Sequence, residues 1–156
     1  MIVEGKFLQI LKGYSKVNLL GVDMGFKYVG LASGFDAFGE CRIEPEGTLD
    51  LKSDDLLRGF LKYSGNKHGI VVGYTKENKE LNSFILRKLK SIQVFLNLPI
   101  VLSNEEFSTQ KAHELLFNLN PAYSRNKFLL DQTSACVILS KFINKTKDHF
   151  PVPINY

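Results

Sequence analysis

Three acidic residues lie where the surrounding sequence brings a carboxylate next to apolar segments. Asp23 ends the most apolar stretch of the chain, Glu105 follows a second apolar stretch at residues 100–102, and Asp131 lies in a third apolar region. Clustered carboxylates repel one another, so they either take up protons or hold divalent cations. Hard oxygen ligands suit Mg²⁺ or Mn²⁺, and a pair of such ions can activate water and stabilise the leaving oxygen of a phosphodiester. If the fold brings the three acids together, they predict metal-dependent phosphodiester hydrolysis.

Asp131 is the most informative of the three acids. It lies four, seven and eleven residues before Ala135, Ile138 and Phe142, so a helix would place it on the same apolar face. That face must pack against a sheet, and an ionised carboxylate is costly there unless it is paired or binds a metal. The spacing therefore indicates a functional carboxylate rather than a solvated one.

Each acid, taken alone, also has an ordinary structural explanation. Asp23 could close an Asp-x-Gly turn, and Glu105 could lie in a solvated loop between a strand and a helix. Asp131 could be an acid near the start of a helix, where the helix dipole favours negative charge. Only a fold in which the three acids converge separates the functional interpretation from these alternatives.

The elements that would position the acids follow from the spacing of apolar residues. We predict strands near residues 17–22, 28–32, 41–43, 69–73 and 98–102, and helices near residues 53–64, 81–96, 108–119 and 128–142. Residues 1–16 form a leader of uncertain structure. The order predicts an α/β, RNase H-like fold with a five-stranded mixed sheet, three antiparallel strands followed by βαβ units, and helices on both faces. The strand ending at Asp23 should be central, between the second strand and the strand around Val71.

Composition limits the class of protein. The 156 residues are 44% hydrophobic and 23% charged with a net charge of +4, which predicts one domain over residues 1–156. No apolar run approaches the ~18–20 residues that a membrane helix needs, and no signal peptide is apparent, so we expect a cytoplasmic protein with no membrane partner. Cys41 and Cys136 lack zinc-site spacing. The chain is too short for the two domains with which actin-like ATPases and sugar kinases enclose a nucleotide.

Two basic regions could contact a polyanion. Residues 118–127 are predicted to form a loop that leads into the helix carrying Asp131, which would place Arg125 and Lys127 at the rim of the acidic site. A second group of cations follows one helix face, and we interpret it as a solvated face, with a binding surface as the alternative. Its members are Lys79, Arg87, Lys88 and Lys90. The aromatic side chains of Phe84, Phe95 and Phe107 are predicted to be core.

Four segments, in the right order, together resemble the YqgF family, Holliday-junction-resolvase-like proteins regarded as pre-16S rRNA nucleases. They are residues 21–32, 70–73, 104–109 and 131–139, and the resemblance covers about residues 17–143. It implies a nuclease that uses Mg²⁺ or Mn²⁺ and acts on structured RNA or branched DNA, as a monomer or a weak homodimer. By resemblance, Asp23, Glu105 and Asp131 form the acidic triad, and Lys27, Arg125 and Lys127 face the nucleic-acid backbone.

The chain departs from the family pattern at three places. Asn104 replaces an Asp, Glu106 replaces an Arg, and Tyr74-Thr75 replaces a Leu-Pro pair. A Glu in place of an Arg would oppose the approach of phosphate. The resemblance still favours endonucleolytic processing of the 5′ end of pre-16S rRNA, with a Holliday-junction resolvase as one alternative. A catalytically weakened nucleic-acid-binding or transcription-associated protein is another.

Overall fold

A computed structural model of the chain describes residues 1–104 and 108–150. The described residues form five β-strands and five α-helices, with short 3₁₀ turns at Gln93–Phe95, Tyr123–Arg125 and Lys147–His149. In chain order the elements are α1 (Glu4–Leu11), β1 (Leu19–Met24), β2 (Tyr28–Phe35), β3 (Arg42–Asp50), α2 (Leu56–Ser64), β4 (Gly69–Tyr74), α3 (Lys79–Ile92), β5 (Ile100–Asn104), α4 (Ser108–Leu119) and α5 (Lys127–Thr146).

The strands form one mixed sheet in the order β3-β2-β1-β4-β5. β1 is antiparallel to β2 and β2 to β3, whereas β1 is parallel to β4 and β4 to β5. β1 is therefore central, between β2 and the strand that contains Val71. The predicted RNase H-like fold is confirmed, and Asp23 lies near the carboxyl end of the central strand, opposite Gly30 in the β1–β2 ladder.

Alternating side chains of the strands build a separate core on each face of the sheet. Leu20, Val22 and Leu31 pack on one face with residues of α2 and α3, including Phe60 and Leu89. The opposite face carries residues of α1 and α5, and its buried members include Phe7, Leu19, Ala32, Val71, Ile138 and Phe142. Because side chains alternate along a strand, Asp23 shares the face of Leu19 and thus the face covered by α5.

The leader of uncertain structure contains helix α1. Phe7 and Leu11 are fully buried, and the ring of Phe7 meets that of Phe142 edge-on with centroids 5.7 Å apart. Since Phe142 belongs to α5, this contact helps to hold α5 on the sheet. The leader is thus part of the core on the α5 face.

Four other predicted features differ from the structure. β3 extends over nine residues instead of three, although it contains Pro45 and Gly47. It is an edge strand, and its register shifts where Ala32 pairs with Pro45, a place where the missing proline N–H is tolerated. α5 runs four residues further than the predicted helix, and residues 118–127 contain a 3₁₀ turn with a buried Ser124. Phe95, predicted to be core, is 65% exposed because it lies in the 3₁₀ turn after α3.

No helix among residues 1–104 and 108–150 is long and apolar enough to cross a membrane.

Candidate functional site

The candidate site forms where the second turn of α5 crosses β2. A Cβ atom added to Gly30 would overlap the backbone carbonyl of Asp131 and lie 2.9 Å from the Asp131 Cβ. Only glycine allows a helix backbone to approach a strand this closely. Because Gly30 pairs with Asp23 in the ladder, the close approach brings Asp131 next to the carboxyl end of β1.

Several contacts fix the start of α5 in this position. The side chain of Asn126 caps the helix by accepting a hydrogen bond from the backbone N–H of Leu129 at 3.1 Å. Gln132 Nε2 donates to Thr48 Oγ1 of β3 at 2.9 Å, and the Phe128 ring meets that of Tyr28 with centroids 5.2 Å apart. Asp131 is therefore held by a helix that is anchored to both β2 and β3.

Asp131 is a buried carboxylate with only one of its two oxygens satisfied by a described residue. The residue is 5% exposed, and its Oδ1 accepts a hydrogen bond from Lys127 Nζ at 2.6 Å. Its Oδ2 is buried and has no hydrogen-bond partner among the described residues. A buried acceptor without a partner costs free energy, so this oxygen is a candidate ligand atom for a cation.

Asp23 is electrostatically coupled to Asp131. Burial of the Asp23 carboxyl, with the negative charge of Asp131 as a smaller cause, raises its pKa from 3.8 to about 7, and the positive charge of Lys127 partly opposes the rise. A divalent cation beside Asp23 would favour the charged form of its carboxyl. Binding of a cation there would therefore compete with protonation of Asp23.

The two carboxylates fit a hard divalent cation. Mg²⁺ and Mn²⁺ take oxygen ligands, and the unpartnered Oδ2 of Asp131 together with the carboxyl of Asp23 supplies them. Among residues 1–104 and 108–150, no three His, Cys, Asp or Glu side chains form a group that could hold a metal ion. The third predicted acid, Glu105, lies outside the described residues, as does Glu106.

The three predicted cations, Lys27, Arg125 and Lys127, differ from one another in their surroundings. Lys27 is exposed in the turn between β1 and β2, and Arg125 is exposed in the 3₁₀ turn before α5. Lys127 has a side chain that is 60% exposed, but its ammonium group is bound to Asp131. The four-residue spacing of Lys127 and Asp131 on a helix is the signal that could have revealed this ion pair from the sequence.

Gly30 is the residue of the site that sequence reasoning missed. Gly30 lies within the segment of residues 21–32, but the sequence of that segment does not by itself predict a role for it. A glycine inside an otherwise apolar strand is a recognised sign of close backbone approach, and Gly21 of β1 shows the same feature where a Cβ would lie 2.9 Å from the Ala135 carbonyl oxygen. Together the two glycines let α5 lie unusually close to the sheet.

Known proteins resemble this chain over most of its length. Residues 17–145 match the RuvX family, whose description is Holliday junction resolvase. A protein of Bacillus cytotoxicus named "Putative pre-16S rRNA nuclease" is 29% identical over 140 residues, which cover 82% of this chain and 98% of that protein. A Listeria monocytogenes protein of the same name is 26% identical over 142 residues, covering 83% and 99%.

A solved structure shows the same fold. The Fowlpox virus resolvase, crystallised with Holliday junction DNA, superposes with a TM-score of 0.55 at 13% identity, covering 83% of this chain and 98% of that one. The match to the family spans most of the chain, from two residues before β1 nearly to the end of α5. This chain therefore belongs to the RuvX (YqgF) family.

Proposed function

We propose that this protein is a metal-dependent endonuclease that hydrolyses phosphodiester bonds in structured RNA, at the 5′ end of pre-16S rRNA. The observation that carries the proposal is the coupled pair Asp23 and Asp131, with one buried carboxylate oxygen unpartnered and one pKa raised to about 7. The names of the relatives from Bacillus cytotoxicus and Listeria monocytogenes support the substrate. Precursor ribosomal RNA is made in the bacterial cytoplasm, which is where we expect the protein to act.

In this proposal Asp23, Asp131 and Glu105 are the catalytic acids and hold Mg²⁺ or Mn²⁺. When bound, a pair of such ions supplies an activated water and stabilises the leaving oxygen of the phosphodiester. Asp131 contributes its unpartnered Oδ2, and Asp23 contributes the carboxyl at the end of β1. The assignment of Glu105 rests on the sequence.

Lys127 is proposed to orient the carboxylate of Asp131. It is the first residue of α5, where a cation is disfavoured by the helix dipole, and the 2.6 Å ion pair with Asp131 offsets that cost. Because most of its side chain is exposed, Lys127 can also reach a phosphate near the site. Lys27, in the turn between β1 and β2, and Arg125, in the 3₁₀ turn before α5, are exposed and are proposed to contact phosphates of the nucleic-acid backbone.

Branched DNA is the second candidate substrate. The description of the matched family, Holliday junction resolvase, favours it. Hydrolysis of RNA and of DNA can use the same carboxylates and ions, so the site geometry is compatible with both. A weakened catalyst that only binds nucleic acid would be a further alternative, since Asn104 is exposed at the end of β5 in the place of a family Asp.

The proposal is tested by cleavage of a labelled 5′-extended 16S rRNA precursor, with a synthetic four-way DNA junction as the competing substrate. We expect cleavage of the RNA in Mg²⁺ or Mn²⁺, no cleavage in chelator, and loss of cleavage in Asp131→Asn. Asp148→Asn is the matched control, because it makes the same chemical change at an exposed residue far along the chain from the site.

Other results would redirect or reject the proposal. Preferential cutting of the junction would identify a resolvase. Binding of either substrate without cleavage in any divalent cation would identify a binding protein. Cleavage that persists in chelator and in Asp131→Asn would exclude the proposed site.

A further inference from the structure

A second pair of side chains near the site has no role in the proposal above. Phe26, in the turn between β1 and β2, is 50% exposed. Its ring lies against that of Phe84 in α3, with centroids 5.1 Å apart and planes tilted by 49°. Phe84 is itself partly buried against the core formed with α2 and α3, so the Phe26 ring packs on a side chain that is anchored in the core.

Positive charge is concentrated around these two rings. Arg87 Cζ lies 5.8 Å and Lys88 Nζ lies 5.6 Å from the centroid of Phe84. Both distances are within the range at which a cation is attracted to an aromatic face. A cavity of about 500 Å³ opens beside the rings. Its lining residues are Phe26, Lys79, Glu80, Ser83, Phe84 and Arg87.

This surface lies at the same end of the sheet as the carboxylates. Phe26 follows Asp23 by three residues, and three extended residues span at most about 11 Å. The Asp23 side chain points to the α5 face, whereas Phe26 meets α3, which packs on the other face. The limit of about 11 Å applies to the Cα atoms, and the two side chains extend to opposite faces, so at about 3.4 Å per nucleotide the separation corresponds to a few nucleotides. A strand that crosses the end of the sheet could contact both places.

We propose that Phe26 and Phe84 form a stacking surface for one unpaired base, within a few nucleotides of the phosphate that is cut. Lys79, Arg87 and Lys88 meet the phosphates on either side of that base. The inference rests on the proposed function insofar as the ligand is nucleic acid. It adds a preference for substrates that are single-stranded beside the cleavage site.

The chemistry of the surface matches an unpaired nucleotide. A base offers a flat aromatic face that stacks on a phenylalanine ring whatever its sequence, and its phosphates carry the negative charge that three cations complement. A fully paired duplex hides the faces of its bases and offers only phosphates. The stacking surface should therefore distinguish single strands from duplexes, whereas the cations alone should not.

The experiment compares Phe26→Ala with Phe95→Ala. Phe95 is also an exposed phenylalanine, but it lies in the 3₁₀ turn after the carboxyl end of α3. Binding to a labelled single-stranded RNA and to a fully paired RNA of the same length is measured by fluorescence anisotropy, with Ca²⁺ in place of Mg²⁺. Phe26→Ala should weaken single-strand binding by about 5- to 100-fold and change duplex binding by less than about twofold. Phe95→Ala should change neither.

A second variant gives a direct signal from the contact. The chain contains no tryptophan, so Phe26→Trp introduces a single fluorophore at the stacking surface. Its emission should be quenched by the single-stranded RNA and not by the duplex, and the emission of Phe95→Trp should be unchanged by both. Because Phe26→Trp keeps an aromatic ring, it should fold even if Phe26→Ala does not, and the test then does not depend on the alanine variant.

Two failures can be told apart. If the wild-type protein binds neither RNA, both the proposed function and the stacking surface are rejected. If the wild type binds but Phe26→Ala weakens single-strand and duplex binding equally, or Phe26→Trp is not quenched, the stacking surface alone is rejected. The cations of α3 would then be a solvated helix face.

Discussion

Buried charged side chains have different surroundings at the two ends of the sheet. At the amino end of β4, Lys67 is 6% exposed, and its ammonium donates to Asn66 Oδ1 at 2.6 Å and lies 4.7 Å from the centroid of the Phe35 ring. Burial lowers the pKa of Lys67, and the negative charges of Glu46 and Glu44 oppose that shift. At the carboxyl end of β1, burial and a like charge both raise the pKa of Asp23, and Asp131 keeps an oxygen without a described partner.

We attribute the difference to a structural role of Lys67 and to the proposed catalytic role of Asp23 and Asp131. An acceptor, an aromatic ring and the negative charges of two glutamates compensate for the burial of Lys67. The negative charge of Asp131 raises the pKa of Asp23, and the positive charge of Lys127 only partly opposes that rise. Buried carboxylates of like charge reduce stability and favour the binding of a cation.

The largest expected effect comes from removing the charge of Asp23. Asp23→Asn keeps the shape of the side chain but removes a ligand charge, so metal-dependent cleavage should fall by about 10³-fold or more. Cleavage of labelled RNA measures the loss, and circular dichroism checks that the fold is intact. Unchanged cleavage in the variant would show that Asp23 is not part of the site.

The same variant should be more stable than the wild type at alkaline pH. Because the folded-state pKa of Asp23 is raised to about 7, the contribution of this group to the stability of the wild type is most favourable below about pH 4 and is lost as the pH rises through 7. The shift corresponds to at most about 4 kcal/mol. In chelator, denaturant unfolding should therefore favour Asp23→Asn at pH 8 and show little difference at pH 4. An equal difference at both values would contradict the shift.

Two alanine substitutions on one strand face test how closely α5 must approach the sheet. In Gly30→Ala the new Cβ overlaps the Asp131 backbone, whereas in Gly34→Ala it lies 3.6 Å from the Ile143 and Leu139 side chains, an ordinary contact. Gly30→Ala should cost about 1–3 kcal/mol and reduce cleavage by about 10- to 100-fold, because Asp131 is displaced. Gly34→Ala should change stability by less than about 1 kcal/mol. Equal effects in thermal unfolding and cleavage assays would mean that the close approach does not position the site.

Removal of the structural charge should affect stability without affecting catalysis. Lys67→Ala deletes a buried donor and its contact with Phe35, so the free energy of unfolding should fall by about 1–2 kcal/mol. Cleavage by the folded variant should stay within about twofold of the wild type. A large loss of cleavage at a temperature where the variant is folded would contradict the structural role of Lys67.

The smallest effect is expected from an exposed cation. Arg125→Ala should weaken RNA binding modestly and reduce the slope of log affinity against log salt by about one, as expected for the loss of one phosphate contact. Its melting temperature should match that of the wild type. Lys127→Ala is a less clean test, because it also leaves Asp131 without its counterion. An unchanged slope in Arg125→Ala would assign the residue to solubility alone.

Many of the strands and helices were predictable because the spacing of apolar residues in the sequence indicates which side chains are buried. The apolar segment before Asp23 predicted a central strand, and the helical spacing of Asp131 with Ala135, Ile138 and Phe142 predicted a buried carboxylate; both features are present. The same reasoning failed for β3. Its Pro and Gly residues are tolerated only because the strand lies at an edge, and that position depends on the whole sheet.

The sequence by itself determined the order of the elements, the face of α5 on which Asp131 lies and the spacing that pairs it with Lys127. These follow from periodicity and chain distance, which are local properties. Only the tertiary structure decided that α5 contacts β2 at Gly30, that one oxygen of Asp131 has no partner among the described residues, and that the pKa of Asp23 is raised to about 7. Those properties arise from desolvation and charge interactions between residues about a hundred positions apart in the chain, which only the packed fold brings together.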